Sequence, residues 1–159
     1  MTFFNYEQWD AVADSYIPIL FLISLVVVAV LARQRGRATL KRYLLYFGLS
    51  LTTCYGLMFI DKSLGIWPRV GLDYSTHTAL ALVFAVFICK EREVWSGLAV
   101  SASFVAYAAL MVYQHYHSIA DIATTAVAVL PCYWLAHAVA KARTASDDIA
   151  ISKPSELSD

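Results

Sequence analysis

The chain is short of charge. Lys, Arg, Asp and Glu make up 15 % of its 159 residues, where a soluble domain carries about a quarter. Hydrophobic residues reach 60 %, and the mean hydropathy is +0.60. That deficit excludes an ordinary water-soluble domain and points to the bilayer as solvent. Net charge is lacking too, with 12 basic residues against 12 acidic ones, so no nucleic-acid partner is expected. The three cysteines, Cys54, Cys89 and Cys132, lie far apart inside apolar runs. Without a C-x-x-C pair they indicate neither a disulfide framework nor a zinc knuckle, and they read as small buried hydrophobes. No basic stretch precedes the first apolar run, so a cleaved signal peptide is not expected. There is no internal repeat and no sign of a second domain.

What is present is a series of five apolar segments, at about residues 16–32, 43–60, 72–89, 94–113 and 118–140. Each approaches the ~20 residues that an α-helix needs to cross ~30 Å of hydrocarbon. Backbone groups in lipid must be satisfied within their own segment, so helices rather than strands are expected. A soluble bundle would need a polar stripe on each helix, and the first four segments have none. Residues 1–15 mix Phe3, Phe4, Tyr6, Trp9 and Val12 with Glu7, Asp10 and Asp14, the pattern of a short interfacial helix. Pro18 suits a first helical turn, whereas Pro131 falls inside the fifth segment and predicts a kink. The expected fold is an all-α integral membrane protein, a bundle of about five transmembrane helices with a short N-terminal interfacial helix. Residues 1–143 form its single domain, and residues 144–159 form a polar, disordered cytoplasmic tail.

Basic residues orient this frame. Arg33, Arg35, Arg37, Lys41 and Arg42 fill the first connection, Lys90 and Arg92 the third, and Lys141 and Arg143 follow the last helix. All fall on one side if five helices cross, and only Lys62 and Arg69 fall on the other. The positive-inside rule then puts the N-terminus outside and the C-terminus in the cytoplasm. The expected location is a plasma membrane of the bacterial inner-membrane type.

Three of the four histidines lie in two short polar clusters, residues 73–78 and 113–121. Both clusters fall on the outer face, and ionisable groups at membrane depth need a reason. His117 and Asp121 are four apart at the start of the fifth helix, a spacing that shares one helix face. A carboxylate beside an imidazole fixes one ring nitrogen and leaves the other a better nucleophile or base. The bland alternative is an interfacial histidine with a helix-capping aspartate. His77 lies one turn inside the third helix, with Ser75 as a candidate N-cap. Free N–H groups at a helix start favour an anion such as phosphate, and a histidine there can act as a general acid. Alone it would more often be structural. Lys62 and Arg69 suit an anionic substrate, or else snorkel to headgroups. A metal site on His77, His115, His117 and Asp121 has suitable ligand types for zinc or iron. However, His115 and His117 would diverge on a helix.

These residues resemble the type 2 phosphatidic-acid phosphatase superfamily, which includes lipid phosphate phosphatases and sphingomyelin-synthase-like phosphotransferases. Lys62 and Arg69 match the spacing of the first family motif, with Val70 at its proline. In the second, Tyr74-Ser75-Thr76-His77 keeps the serine and histidine of Pro-Ser-Gly-His. In the third, His117 and Asp121 match, with Leu110 and Met111 at the serine and arginine positions. The resemblance covers about residues 43–140, and the family usually has six helices.

The resemblance implies that His117 attacks phosphorus to form a phosphohistidine, that Asp121 orients His117, and that His77 protonates the leaving oxygen. Lys62, Arg69 and Ser75 would hold phosphate oxygens, with His115 or Gln114 standing in for the arginine. It implies a lipid phosphate or diphosphate as substrate, membrane lipids as surroundings, and no cofactor or metal. The competing expectations are a non-catalytic membrane binding or scaffold protein that retains the fold, and a His/Asp metal-binding membrane protein.

Overall fold

A computed structural model describes the backbone of residues 6–152 and the side chains of residues 8–145. Five helices follow one another: α1 (Tyr6–Arg35), α2 (Arg37–Leu64), α3 (Thr76–Glu91), α4 (Val94–Tyr113) and α5 (Ile119–Ser152). A single 3-10 turn, Pro68–Val70, interrupts the connection from α2 to α3, and there is no strand among the described residues. The all-α membrane bundle expected from composition is the architecture found. α1, α2, α4 and α5 are each long and apolar enough to cross a membrane.

The helix limits differ from the hydropathy limits in instructive ways. The interfacial segment is helical from Tyr6 and runs without a break into α1; residues 1–5 lie outside the described residues. Pro18 therefore sits well inside α1 rather than in its first turn, where its missing N–H leaves the Asp14 carbonyl without an intrahelical partner. At the other terminus, α5 continues to Ser152. Residues 144–152 are thus helical rather than a disordered tail, and residues 153–159 lie outside the described residues. Thr144 helps to carry the helix onward, because its hydroxyl donates to the Ala140 carbonyl at 3.0 Å. Only Gly36, with φ +87°, separates α1 from α2, a reversal that the absence of Cβ permits.

α3 is the interior helix. It packs against each of the other four, and Ala79, Ala81, Val83 and Phe87 are fully buried. Tyrosines from its neighbours donate to its backbone: Tyr46 to the Val83 carbonyl at 2.8 Å and Tyr133 to the Ala79 carbonyl at 3.0 Å. These bonds give buried phenol hydroxyls a partner without opening the helix. The outer surface is the reverse, with Phe21, Leu22, Val26, Leu44, Phe59, Val105 and Leu135 all exposed. Such a surface is stable against lipid rather than water. Cys54 is buried as expected, whereas Cys89 is exposed.

α3 has 16 residues, about 24 Å at 1.5 Å per residue, short of the hydrocarbon thickness. The extended residues 72–75 complete its height. Its other end is fixed by charge. Glu91, 5 % exposed at its side chain, accepts from Arg42, from the Tyr43 hydroxyl at 2.5 Å and from Arg35 at 3.5 Å. His137 Nε2 of α5 lies 3.1 Å from the same carboxylate. One carboxylate thus joins α1, α2, α3 and α5 at the basic end of the bundle.

Removing one member of an enclosed ion pair strands the other, which typically costs about 3 kcal/mol. Glu91→Gln is therefore expected to lower thermal stability in detergent. A double-mutant cycle with Arg42→Met should show a non-zero interaction energy between the two positions.

Candidate active site

The opposite end of the bundle gathers the end of α2, the start of α3, the end of α4 and the start of α5. The chain reaches it by leaving α2 at Gly65, a left-handed C-cap with φ +61° whose N–H bonds to the Asp61 carbonyl. The Asp61 carboxylate then accepts from the Trp67 N–H at 2.8 Å. Trp67 is buried, stacks edge-on with Tyr74 at 5.1 Å and donates its indole N–H to Thr124 of α5 at 3.1 Å. Tyr74 in turn donates to the Cys54 carbonyl. The α2–α3 connection is therefore pinned from both neighbouring helices.

Residues 72–75 have no regular structure; Leu72 N–H donates to the Trp67 carbonyl at 3.1 Å, but Asp73 and Ser75 find no backbone partner. α5 supplies acceptors for these two: Asp73 N–H donates to Asp121 Oδ1 at 2.8 Å, and Ser75 N–H donates to Thr125 Oγ1 at 3.0 Å. Asp121 and Thr125 are one helical turn apart and so face the same way. Ser75 is the N-cap of α3, as its position suggested, and its hydroxyl accepts from the Thr78 N–H and the Thr78 hydroxyl.

α5 starts with a capping box. The Ser118 hydroxyl accepts from the Asp121 N–H at 3.1 Å, and Asp121 Oδ2 accepts from the Ser118 N–H at 2.7 Å and its hydroxyl at 2.8 Å. Both oxygens of Asp121 are thus occupied by structural bonds, and its residue is 8 % exposed. His117 precedes the cap, outside the helix, so the four-residue spacing does not put it on the face of Asp121. The carboxylate in front of His117 is Asp73, with Oδ2 3.7 Å from Nδ1. Asp121, expected to orient His117, instead holds Asp73 in place.

His77 and His117 come together, with ring centroids 6.5 Å apart. His117 is mostly enclosed, with 11 % of its side chain exposed and Nδ1 buried without a hydrogen-bond partner. Burial pushes its pKa below the ordinary histidine value. The carboxylates of Asp73 and Asp121 oppose that shift, and His77 adds to it. His77 is exposed in the first turn of α3. His115 is also exposed and adopts φ +59°, a left-handed conformation rare for a residue with a side chain. His115, His117, Ser118 and Asp121 line an open depression of about 640 Å³.

The other expected residues are placed less favourably. Ser75 is fully buried and engaged as a cap, so it does not present its hydroxyl to a phosphate. Lys62 and Arg69 are exposed on the α2–α3 connection, and among the described residues neither makes an ion pair. Met111, at the position of the family arginine, is buried at 1 % exposure. Among the described residues no three His, Cys, Asp or Glu side chains are grouped to hold a metal ion. The residue that sequence reasoning passed over is Asp73. Its signal was its place in the same polar cluster as His77.

These positions define a titration. His117 is expected to have an NMR titration midpoint below the ordinary value of about 6.5, and to be neutral at pH 7. Asp73→Asn removes a charge that favours the imidazolium, so it should move the midpoint further down. A midpoint that rises in Asp73→Asn would remove Asp73 from this role.

No protein-family model, no curated protein and no solved structure matches this chain.

Proposed function

We propose that this is an integral membrane phosphatase or phosphotransferase that acts on a lipid phosphate through a phosphohistidine at His117. The observation that carries this reading is the apposition of His77 and His117 from two different elements at one end of the bundle. Asp73 beside the enclosed Nδ1 adds to it.

With Nδ1 turned toward Asp73, Nε2 is the nitrogen left for substrate. A neutral His117 attacks phosphorus through Nε2. The N–P bond forms as the bond to the leaving oxygen breaks, and His77 gives that oxygen its proton. The charge that grows on the His117 ring is stabilised by Asp73, whose carboxylate is 70 % exposed and free to approach from 3.7 Å. Contacts of this kind tighten only when substrate is bound. Water, deprotonated by His77, then cleaves the N–P bond and releases phosphate, or a lipid alcohol accepts the phosphoryl group. Lys62 and Arg69, both exposed, supply positive charge for the phosphate oxygens, where charge stabilisation dominates phosphoryl transfer.

By the positive-inside rule the basic connections favour an orientation with the histidine end outside and the C-terminus in the cytoplasm, in a plasma membrane of the bacterial inner-membrane type. A second reading is a lipid-binding protein without turnover. Met111, buried where the resembling family carries an arginine, favours it.

Phosphate release from phosphatidic acid, measured with EDTA present, separates the two. His117→Ala should lower turnover by at least about 10³-fold and His77→Ala by about 10²–10⁴-fold. A ³²P label should be trapped on the wild-type chain as an acid-labile adduct. Wild-type turnover should fall on acidification as His117 gains its proton. Asp121→Asn should lower thermal stability, because two backbone N–H groups lose a charged acceptor. A folded wild-type protein inert toward a wide panel of lipid phosphates would establish the binding reading instead.

A further inference from the structure

α4 packs closely on α3 but touches α5 little. The gap between α4 and α5 is a chain of depressions. The first is the polar one at His117, which also includes Val112 and Ile119. Those two residues are shared with a second depression of about 370 Å³, continued by Val105, Ala108, Ala109 and Ile122. Val105 is shared in turn with a third, of about 300 Å³, whose floor is Leu82, Ala85, Val86 and Cys89 of α3 and which ends at Leu130, Trp134 and Lys90. The second is lined entirely by apolar residues. Small side chains at positions 108 and 109 keep α4 thin where it faces α5. From Ser101 to Val112 the groove follows about 16 Å of α4, a helix long and apolar enough to cross a membrane. Lys90 lines the groove's far end, with its ammonium 3.6 Å from the centroid of the Trp134 ring.

We propose that this α4–α5 groove holds the long hydrocarbon chain of a phosphorylated lipid whose phosphate sits at His117. The proposal rests on the reading of His117 as the phosphate site, and it adds where the rest of the substrate lies. The groove opens to lipid along its side and joins the polar depression at its top, which is the shape of one chain with a charged head. A chain moving from bilayer to groove exchanges one apolar surrounding for another, so close packing against the groove, rather than the hydrophobic effect, favours the bound chain. Its contribution is to hold the phosphate in register with His77 and His117.

The test uses the intact protein in detergent and a monoacyl glycerol phosphate with a diazirine at mid-chain. Photolabelled residues are mapped by mass spectrometry. Label is expected on Val105, Ala109, Ile122 and Leu130, and it should be displaced by palmitoyl glycerol phosphate or farnesyl phosphate. Which of these displaces better distinguishes an acyl from a prenyl chain. The butyryl analogue, which keeps the head and lacks the chain, should displace at least tenfold less well. Ala109→Trp should reduce labelling at least tenfold, whereas Leu44→Trp on the outer surface should not change it. Label spread evenly over Leu44, Phe59 and the groove would overturn the proposal, as would equal displacement by the butyryl analogue. Labelling does not need turnover. A protein that labels in the groove yet releases no phosphate keeps this proposal and loses the catalytic one, and wild-type mapping decides even if Ala109→Trp does not fold.

Discussion

An extended stretch of chain among membrane-spanning helices has to find partners for its backbone N–H groups, and the rest of this structure follows from how that is done. Residues 72–75 are not helical, so Asp73 and Ser75 cannot bond within their own segment. A backbone N–H left without a partner where it is buried costs about 1–3 kcal/mol. α5 supplies Asp121 and Thr125, one turn apart, as the acceptors. That pairing fixes where α3 begins, and therefore where His77 and Asp73 stand. The same Asp121 also forms the capping box with Ser118 and so fixes where α5 begins and where His117 stands. One carboxylate therefore locates both histidines.

α3 is held in the same fashion at its other end, with the chemistry changed. Glu91 accepts from both Arg42 and Tyr43 and lies beside His137. Between the two carboxylates, tyrosine hydroxyls bond to α3 carbonyls and alanines let the surrounding helices approach. A helix too short for the bilayer by itself is thus suspended between two acidic residues. The four longer helices meet lipid in its place. This division explains why hydropathy over 72–89 suggested a crossing segment while only residues 76–91 are helical.

Much of the fold could be read from the sequence because hydrophobic run length is a direct consequence of bilayer thickness. The limits of α4 are those expected, and Ser75 caps α3 as expected. The histidine pair was legible through the alternation of ends that successive crossings impose. The identity of the carboxylate beside His117 was not. A four-residue spacing implies a shared face only if both residues are helical, and α5 begins after His117. The pattern Ser-x-x-Asp at 118–121 carried that information, since it marks a capping box and consumes the aspartate. Asp73 was hidden for a different reason. It meets His117 across 44 positions of chain, and no local periodicity records such a contact. The end of α5 was misjudged because polar composition from residue 144 onward signals solvent exposure, not loss of helix.

The bonds around Asp121 also bear on entropy. Two imidazoles carried by separate segments would ordinarily have to be brought into register by each ligand, at the expense of affinity. Here the segment before α3 and the start of α5 are tied to one buried group, so their relative freedom is lost once, when the chain folds. The backbone that carries His77 and the backbone that carries His117 are already joined through that group.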